Sequence, residues 1–292
     1  VKQEGLKMQN VEKIKEMKIF SRRVQMEVVK MIAGLGIGHL GGSLSVTDLL
    51  AVLYCGRMKY DPKNPQWEER DRFILSKGHA GPALYATLAL KGFMPVEELA
   101  TLNRPHTKLP SHVDRTKTPG VDMTCGSLGQ GASAAAGIAL GLRMNGKSNY
   151  VYAAFGDGEI NEGQVWEMAL FAGHRKLSNL IGFVDYNKLQ LDGPTDEICK
   201  LGDIARKFEE FGWYAQNVDG HDVAAIDEAI GRAKGQDERP SMIVLHTVKG
   251  NGWSRSANQV GSHSRGLNEE ELAEALGEMQ AAIDSYESGE GV

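Results

Sequence analysis

Two short stretches could bring a carboxylate and an amide to one point. Gly156-Asp157-Gly158 follows the apolar run Tyr150–Phe155, and Asn187 lies two residues past a second such run, Leu180–Asp185. Alone, Gly-Asp-Gly reads as a strand–turn–helix whose Asp caps the helix. With 28 residues between Gly158 and Asn187, each just beyond a buried strand, a metal–diphosphate site is the better reading. Ligands of open α/β sheets gather at the carboxyl ends of the strands. A hard divalent cation such as Mg²⁺ takes octahedral oxygens: a carboxylate, an amide, one main-chain carbonyl, diphosphate oxygens and water. Gly156 and Gly158 let phosphates approach the backbone, and the following helix offers free N–H groups.

Eight histidines supply groups that donate or accept protons near neutral pH. His39, His79 and His112 sit in turns flanked by Gly, Ser or Pro, which favours function. His106, His174, His221 and His246 lie in helix, cap or strand contexts and read as structural. His263 is intermediate.

Two further matches fail on context. Gly141-Leu-Arg-Met-Asn-Gly146-Lys147-Ser148 fits GxxxxGK[ST], yet a helix runs into it and a strand follows, the reverse of a phosphate loop. It reads as a helix stop with Gly146 just past the end. Gly36-Ile-Gly38-His39-Leu-Gly41 fits GxGxxG but follows some 20 residues of helical period rather than a strand, so a dinucleotide site is rejected. GxSxG and HExxH are absent from the sequence.

The elements that must position these residues alternate. Helical spacing runs from about Val11 to Ile32, then Val46–Leu53 with Ser45 as N-cap, Gly81–Leu90 and Val96–Leu102. A polar loop covers Asn103–Asp122, and a small-residue helix covers Ser127–Met144. Arg72–Leu75 reads as a short buried strand. Tyr150–Phe155, Leu180–Asp185, Trp213–Val218 and Ser241–His246 recur about every 30 residues, separated by helices over Glu162–Ala172, Ile204–Phe211 and Val223–Ala233. The fold predicted is α/β, a doubly wound, mostly parallel sheet with helices on both faces. Residues 1–292 are expected to form a single domain with a charged helical tail from about 268.

Composition agrees. With 41% hydrophobic and 24% charged residues the chain is ordinary globular protein. Its 33 Lys+Arg against 38 Asp+Glu give a charge of −5, which argues against a nucleic-acid partner. No run approaches the roughly 18 apolar residues of a membrane span. The polar stretch from Val1 to Val11 lacks the apolar core of a secretory signal. Cys55, Cys125 and Cys199 lie far apart with no CxxC, so a reducing cytoplasm is expected. The 35 glycines, about 12% against a usual value of about 7%, cluster beside His, Asp and Asn.

The spacing Gly156-Asp157-Gly158 to Asn187 resembles the thiamine diphosphate fingerprint, and the chain to about Leu272 is similar to the N-terminal half of transketolases. The matching motifs are Gly38-His39-Leu-Gly-Gly-Ser43, Ser76-Lys-Gly-His79-Ala80, Gly126-Ser-Leu-Gly-Gln-Gly131, Gly156-Asp-Gly158 with Glu162-Gly163, and Asp219-Gly-His-Asp222. The resemblance implies thiamine diphosphate and Mg²⁺ (or Ca²⁺ or Mn²⁺), the metal held by Asp157, Asn187 and the main-chain oxygen of Leu189. It implies that His79 and Gly158 contact the diphosphate, with Gly126 and Leu128 against the cofactor rings. His39, His112 and His263 would face the substrate, with His263 also near the cofactor, and Glu162 would be a buried acid coupling two active sites. The family pattern of an aromatic residue, His-Gly and a nearby Pro is replaced here by Ser262-His263-Ser264-Arg265-Gly266.

In that family the acid that activates the cofactor lies in a following pyrimidine-binding domain, which this sequence lacks. The expectation is therefore one subunit of a split transketolase, joined to a separate C-terminal subunit as an α2β2 heterotetramer. It would transfer a two-carbon ketol unit between sugar phosphates. Alternatives are the α subunit of a 2-oxoacid dehydrogenase, a split transketolase for a sulfonated or branched sugar, and a binding subunit without chemistry. The first commonly pairs two Asn, where Asn187 is followed by Lys188.

Overall fold

Five runs rich in Val, Ile, Phe and Ala become one sheet in a computed structural model that describes residues 2–289, with side chains from residue 10. The strands are β1 (Arg72–Leu75), β2 (Val151–Gly156), β3 (Leu180–Tyr186), β4 (Tyr214–Asp219) and β5 (Ser241–His246). All pairings are parallel, in the order β1-β2-β3-β5-β4. Every strand expected from the sequence is present within one residue. Central β2, β3 and β5 are buried almost throughout, whereas β4, at the edge, exposes Asn217 and Asp219. A strand covered on both faces needs apolar side chains at successive positions, and an edge strand does not.

The helices are α1 (Lys2–Leu35), α2 (Gly41–Leu44), α3 (Thr47–Val52), α4 (Gly81–Leu90), α5 (Gln130–Met144), α6 (Gly163–His174), α7 (Thr195–Ile198), α8 (Ile204–Glu210), α9 (Val223–Gly235) and α10 (Glu269–Ser288). The chain steps from β1 to β4 in one direction and returns through α9 to insert β5. Right-handed crossovers then place α9 on the opposite face from α5, α6 and α8. Trp166 joins α6 to Phe208 of α8, ring centroids 5.2 Å apart. On the other side α1 packs on α3, α4 and α9. The expected helical tail, α10, lies against α1 and buries Ala275, Met279 and Ile283. Its start is fixed by a capping box, in which the Asn268 side chain accepts from the Glu271 N–H and Glu271 accepts from the Asn268 N–H.

Two local expectations change and a third holds. The stretch from Val96 is a 3₁₀ helix, Val96–Thr101. Ser45 is not an N-cap: it has helical φ/ψ at the end of α2, and its hydroxyl donates to Asp185 Oδ2 at 2.6 Å. The helix after it starts at Thr47 with no side-chain cap. A helix start offers a serine only N–H donors, whereas the buried Asp185 carboxylate accepts the hydroxyl proton. The GxxxxGK[ST] match is the helix stop read from the sequence, with Asn145 as C-cap and Gly146 left-handed at φ 68°. Among the described residues, no helix is long and apolar enough to cross a membrane.

Candidate active site

Parallel pairing of β2 with β3 sets Gly156 opposite Asp185, so the turns that follow these strands are neighbours. Asp157, 3% exposed, binds both turns. Its Oδ1 accepts from the Gly158 N–H at 2.8 Å, and its Oδ2 from the Lys188 N–H at 2.6 Å. Lys188 has φ 65°, a left-handed conformation that turns the chain sharply between Asn187 and Leu189. Asn187 is buried, and its Oδ1 accepts from the Leu189 N–H at 3.1 Å. Asp157, Gly158, Asn187 and Leu189 line one cavity of about 120 Å³, together with Gly42, Lys77, His79, Gln190, Leu191, Lys249 and His263.

Beneath this cavity Asp185 is wholly enclosed. It accepts from the Lys77 ammonium and from the hydroxyls of Ser45 and Thr247. Burial acts to raise its pKa, but Lys77 and the two hydroxyls outweigh burial and hold it ionised below the ordinary value. No cation bonds Asp157 directly, and Lys77 offsets only part of its burial. Burial, reinforced by the charge of Asp185, pushes it up to about 7. A buried carboxylate short of positive charge, beside an amide oxygen and a carbonyl, suits a hard cation. The Leu189 carbonyl also accepts from Lys249 Nζ at 3.2 Å. Lys249, lowered by burial to about 8, and Lys77 put two amines on the cavity wall. The Gln190 Nε2 group is buried there without a protein partner. Ammonium groups, an unpaired amide donor and the glycine backbone of Gly42 are donors suited to a diphosphate, and Gly158 keeps the wall free of a side chain.

The four histidines singled out in the sequence meet beside this cavity. The His39 ring lies 5.3 Å from His79, 5.4 Å from His112 and 5.4 Å from His263, and His79 lies 5.3 Å from His263. Each comes from a different turn. His39 follows α1, His79 follows β1, His112 sits in the polar loop, and His263 closes the 3₁₀ turn Val260–His263. An antiparallel bridge between Gly38 and Arg265 ties the first turn to the last. Gly41 permits their approach, since a Cβ there would lie 2.6 Å from Ser262 Oγ. Arg265, which departs from the family pattern, packs over the Trp253 ring and pairs with Glu271 at 2.5 Å. Ser264 lines a second cavity, of about 190 Å³, with His39.

Burial lowers the pKa of all four imidazoles. His79 is pushed well down by burial and by Lys77, and His263 is lowered to about 4 by burial and then by Lys249. In His39 burial is reinforced by His112, and in His112 burial acts alone. Near neutral pH these rings are uncharged, each with one donor and one acceptor nitrogen. Such a cluster can hold hydroxyl groups and pass protons between them.

Gly126 lies against the His112 ring in a wider hollow of about 660 Å³, with Ser127 and Gln130. Leu128 is half-buried and lines neither this hollow nor the Asp157 cavity. Glu162 stands at the N-cap of α6 and is exposed in the single chain, while the acid enclosed within the chain at this turn is Glu159, 2% exposed. Glu159 Oε1 accepts from Ser76 Oγ at 2.5 Å and the Gly129 N–H at 2.9 Å, and Oε2 from the Gly156 N–H at 3.0 Å. It therefore locks the ends of β1 and β2 to the start of α5. Two backbone amides, one at the end of a strand and one at the start of a helix, are satisfied by a single carboxylate from the turn after β2, and Glu159 has the reach. Lys77, Asp185, Gln190 and Lys249 also escaped the sequence reading. Lys77 at least stands inside the Ser76–Ala80 motif, whereas Lys249 carries no signal beyond its flanking glycine.

Residues 16–281 match the sequence profile of the family described as "Transketolase, thiamine diphosphate binding domain". The chain is 54% identical over 249 residues to the 6-deoxy-6-sulfo-D-fructose transketolase subunit SqwG of Clostridium sp. (strain MSTE9), covering 85% of this chain and 90% of that protein. It is 35% identical over 286 residues to the transketolase of Rattus norvegicus, covering 97% of this chain and 45% of that protein. Among solved structures it superposes on the Pichia stipitis transketolase complexed with sedoheptulose-7-phosphate with a TM-score of 0.84 and 30% identity, covering 95% of this chain and 45% of that one. The chain thus spans less than half the length of these two transketolases. With the Asp157–Asn187 turn pair and the histidine cluster assembled on a parallel sheet, the chain belongs to the transketolase family, as a thiamine diphosphate-binding domain.

Proposed function

We propose that this chain is the diphosphate-binding subunit of a two-chain transketolase, moving a two-carbon ketol unit from a ketose to an aldose. The observation that carries the reading is the cluster of neutral imidazoles opening beside the Asp157–Asn187 cavity. Asp157, Asn187 and the Leu189 carbonyl would hold a divalent cation such as Mg²⁺. Gly158, His79 and Lys249 would receive the diphosphate, and Gly126 and Leu128 would lie toward the rings. Bound thiamine diphosphate supplies a carbon nucleophile for the donor ketone. The residues of this chain manage protons and hydroxyls. A neutral imidazole of the His39–His112–His263 cluster takes the proton of the donor C3 hydroxyl as the C2–C3 bond breaks, and returns one to the acceptor's former aldehyde oxygen. Glu162, exposed at the head of α6, is assigned to contact with a second thiamine-binding subunit.

The acid that activates the cofactor is assigned to a separate pyrimidine-domain chain in an α2β2 assembly. The 54% identity to a protein named as a transketolase subunit, over 90% of its length, supports that division. It also favours a ketose ending in a sulfonate as donor, ahead of the usual ketose phosphates. Three cysteines with free thiols fit a cytoplasmic setting.

The test mixes the chain with its partner chain, thiamine diphosphate and Mg²⁺. Ketol transfer is expected from 6-deoxy-6-sulfo-D-fructose, with slower transfer from xylulose 5-phosphate. No transfer from any ketose, together with pyruvate decarboxylation using an artificial electron acceptor, overturns the reading in favour of an oxoacid dehydrogenase. Activity without the partner overturns the two-chain division.

A further inference from the structure

The Asp219-Gly-His-Asp222 motif has no place in the site described above, although each of its polar side chains is engaged. Asp219 Oδ1 accepts from the His221 N–H at 2.9 Å, forming the turn after β4. Asp222 caps α9, accepting from the N–H groups of Ala224 and Ala225 at 2.9 and 3.1 Å. His221 stands between them in the turn before α9 and reaches across to α3. Its Nε2 accepts from the Val248 N–H at 2.8 Å, and its Nδ1 faces Asp48 Oδ2 on α3 at 2.8 Å.

These two contacts fix the ring's tautomer. Nε2 must present its lone pair to a backbone N–H, so the proton resides on Nδ1 and is donated to Asp48. Asn251 Nδ2 also lies 3.0 Å from Nδ1; with the Nδ1 proton given to Asp48, this amide pairs with the ring only when turned over, its oxygen inward. Asp48 is almost fully enclosed and accepts from Ser21 Oγ of α1 at 2.6 Å. Burial acts to raise the Asp48 pKa, but His221, Arg22 and Ser21 outweigh it and keep the carboxyl below its usual range. The arrangement is an aspartate–histidine pair whose free nitrogen grips a main-chain amide instead of a reacting proton.

The amide it grips belongs to the residue before Lys249. Lys249 Nζ donates to the carbonyls of Leu189 and Gln190 at 3.2 and 3.3 Å and lies 3.2 Å from His263 Nδ1. One backbone segment thus touches the turn after β3, the cavity and the histidine cluster. We propose that the Asp48–His221 pair is a positioning device that sets the Val248–Lys249 backbone, and through it the Lys249 ammonium, for binding of the cofactor's diphosphate. The proposal rests on the reading of the Asp157 cavity as the diphosphate site. His221 itself touches neither cofactor nor substrate in this scheme.

The test compares His221→Ala, His221→Asn and His221→Gln in the chain assembled with its partner. Cofactor affinity is measured by calorimetric titration of thiamine diphosphate with Mg²⁺, and stability by thermal unfolding without cofactor. A Gln amide oxygen can stand where Nε2 stood and accept from Val248, whereas the shorter Asn reaches only toward Asp48. His221→Gln should therefore keep affinity within about threefold of wild type. His221→Ala and His221→Asn should lose about tenfold, the worth of one hydrogen bond at the site, with the activity loss falling on cofactor KM more than on kcat. Rescue by Asn rather than Gln shows that satisfying Asp48 is the whole role, and overturns the proposal. So does unchanged affinity in all three variants, or a loss that simply follows each variant's fall in Tm. If the wild-type assembly binds no thiamine diphosphate at all, the reading of the cavity fails instead, a distinguishable outcome.

Discussion

The two ends of β2 carry glycine-rich turns of similar appearance, Gly141–Ser148 before it and Gly156-Asp157-Gly158 after it. At the amino end α5 terminates: the Gly146 N–H returns to the Arg143 carbonyl at 3.0 Å, and Lys147 reaches out to pair with Glu68 and Glu69. That turn presents a helix's carbonyl end, which repels anions, and its lysine is held by exposed carboxylates. At the carboxyl end the turn faces a helix start, Glu159 accepts from the Gly156 N–H, and the neighbouring strand delivers Asp185 and Asn187. Chain direction in the sheet, more than local glycine content, separates a ligand turn from a helix stop.

The largest effect that would break this contrast is at Asp157. Asp157→Ala should abolish metal-dependent binding of thiamine diphosphate, a loss of at least about 100-fold by calorimetry. Unchanged binding removes the proposed metal site. Next is Gly78, in the turn after β1. A Cβ there would sit 2.1 Å from the Cys125 carbonyl oxygen, a clash with backbone that no side-chain rotation relieves. Gly78→Ala should cost about 3 kcal/mol in urea unfolding.

A third expectation concerns pH. Burial, and then Lys249, lower the folded-state pKa of His263 to about 4 from 6.5, so on acidification the unfolded chain takes up this proton first. Its contribution to stability is full above pH 6.5 and is lost between 6.5 and about 4. The Tm of wild type should therefore fall more steeply than that of His263→Asn across this window, and parallel curves refute the assignment. The smallest effects belong to the amino end of β2. Gly146→Ala should cost about 1 kcal/mol, the price of a left-handed non-glycine residue. Lys147→Ala should leave cofactor binding unchanged and Tm within about 1 °C.

Much of this molecule is legible in its order of residues. The central strands are legible because burial on both faces demands unbroken apolar runs, and Gly146 is legible as a helix stop because only chain context distinguishes it from a phosphate loop. Three of the four clustered histidines, His39, His79 and His112, are marked by their turn neighbours, and His263 only in part. Less visible were residues whose importance arises from distant partners. Ser45 looked like a cap because a serine before a helix usually is one, and nothing local reveals Asp185, 140 residues away. Glu159 and Glu162 are both acids in one turn; which of them is buried depends on the amides of Gly129 and Gly156 closing over Glu159.

The sequence alone determined the parallel α/β layout, the Asp157–Asn187 pairing across adjacent strands, and the set of histidines worth watching. These depend on period, spacing and local turn chemistry, which are properties of a linear chain. The tertiary structure decided the insertion of β5 between β3 and β4, the convergence of His39, His79, His112 and His263 from four separate turns, and the grip of Asp48 and His221 on the backbone beside Lys249. Those contacts join segments up to more than 200 residues apart, and their energies exist only once the sheet has brought the turns together.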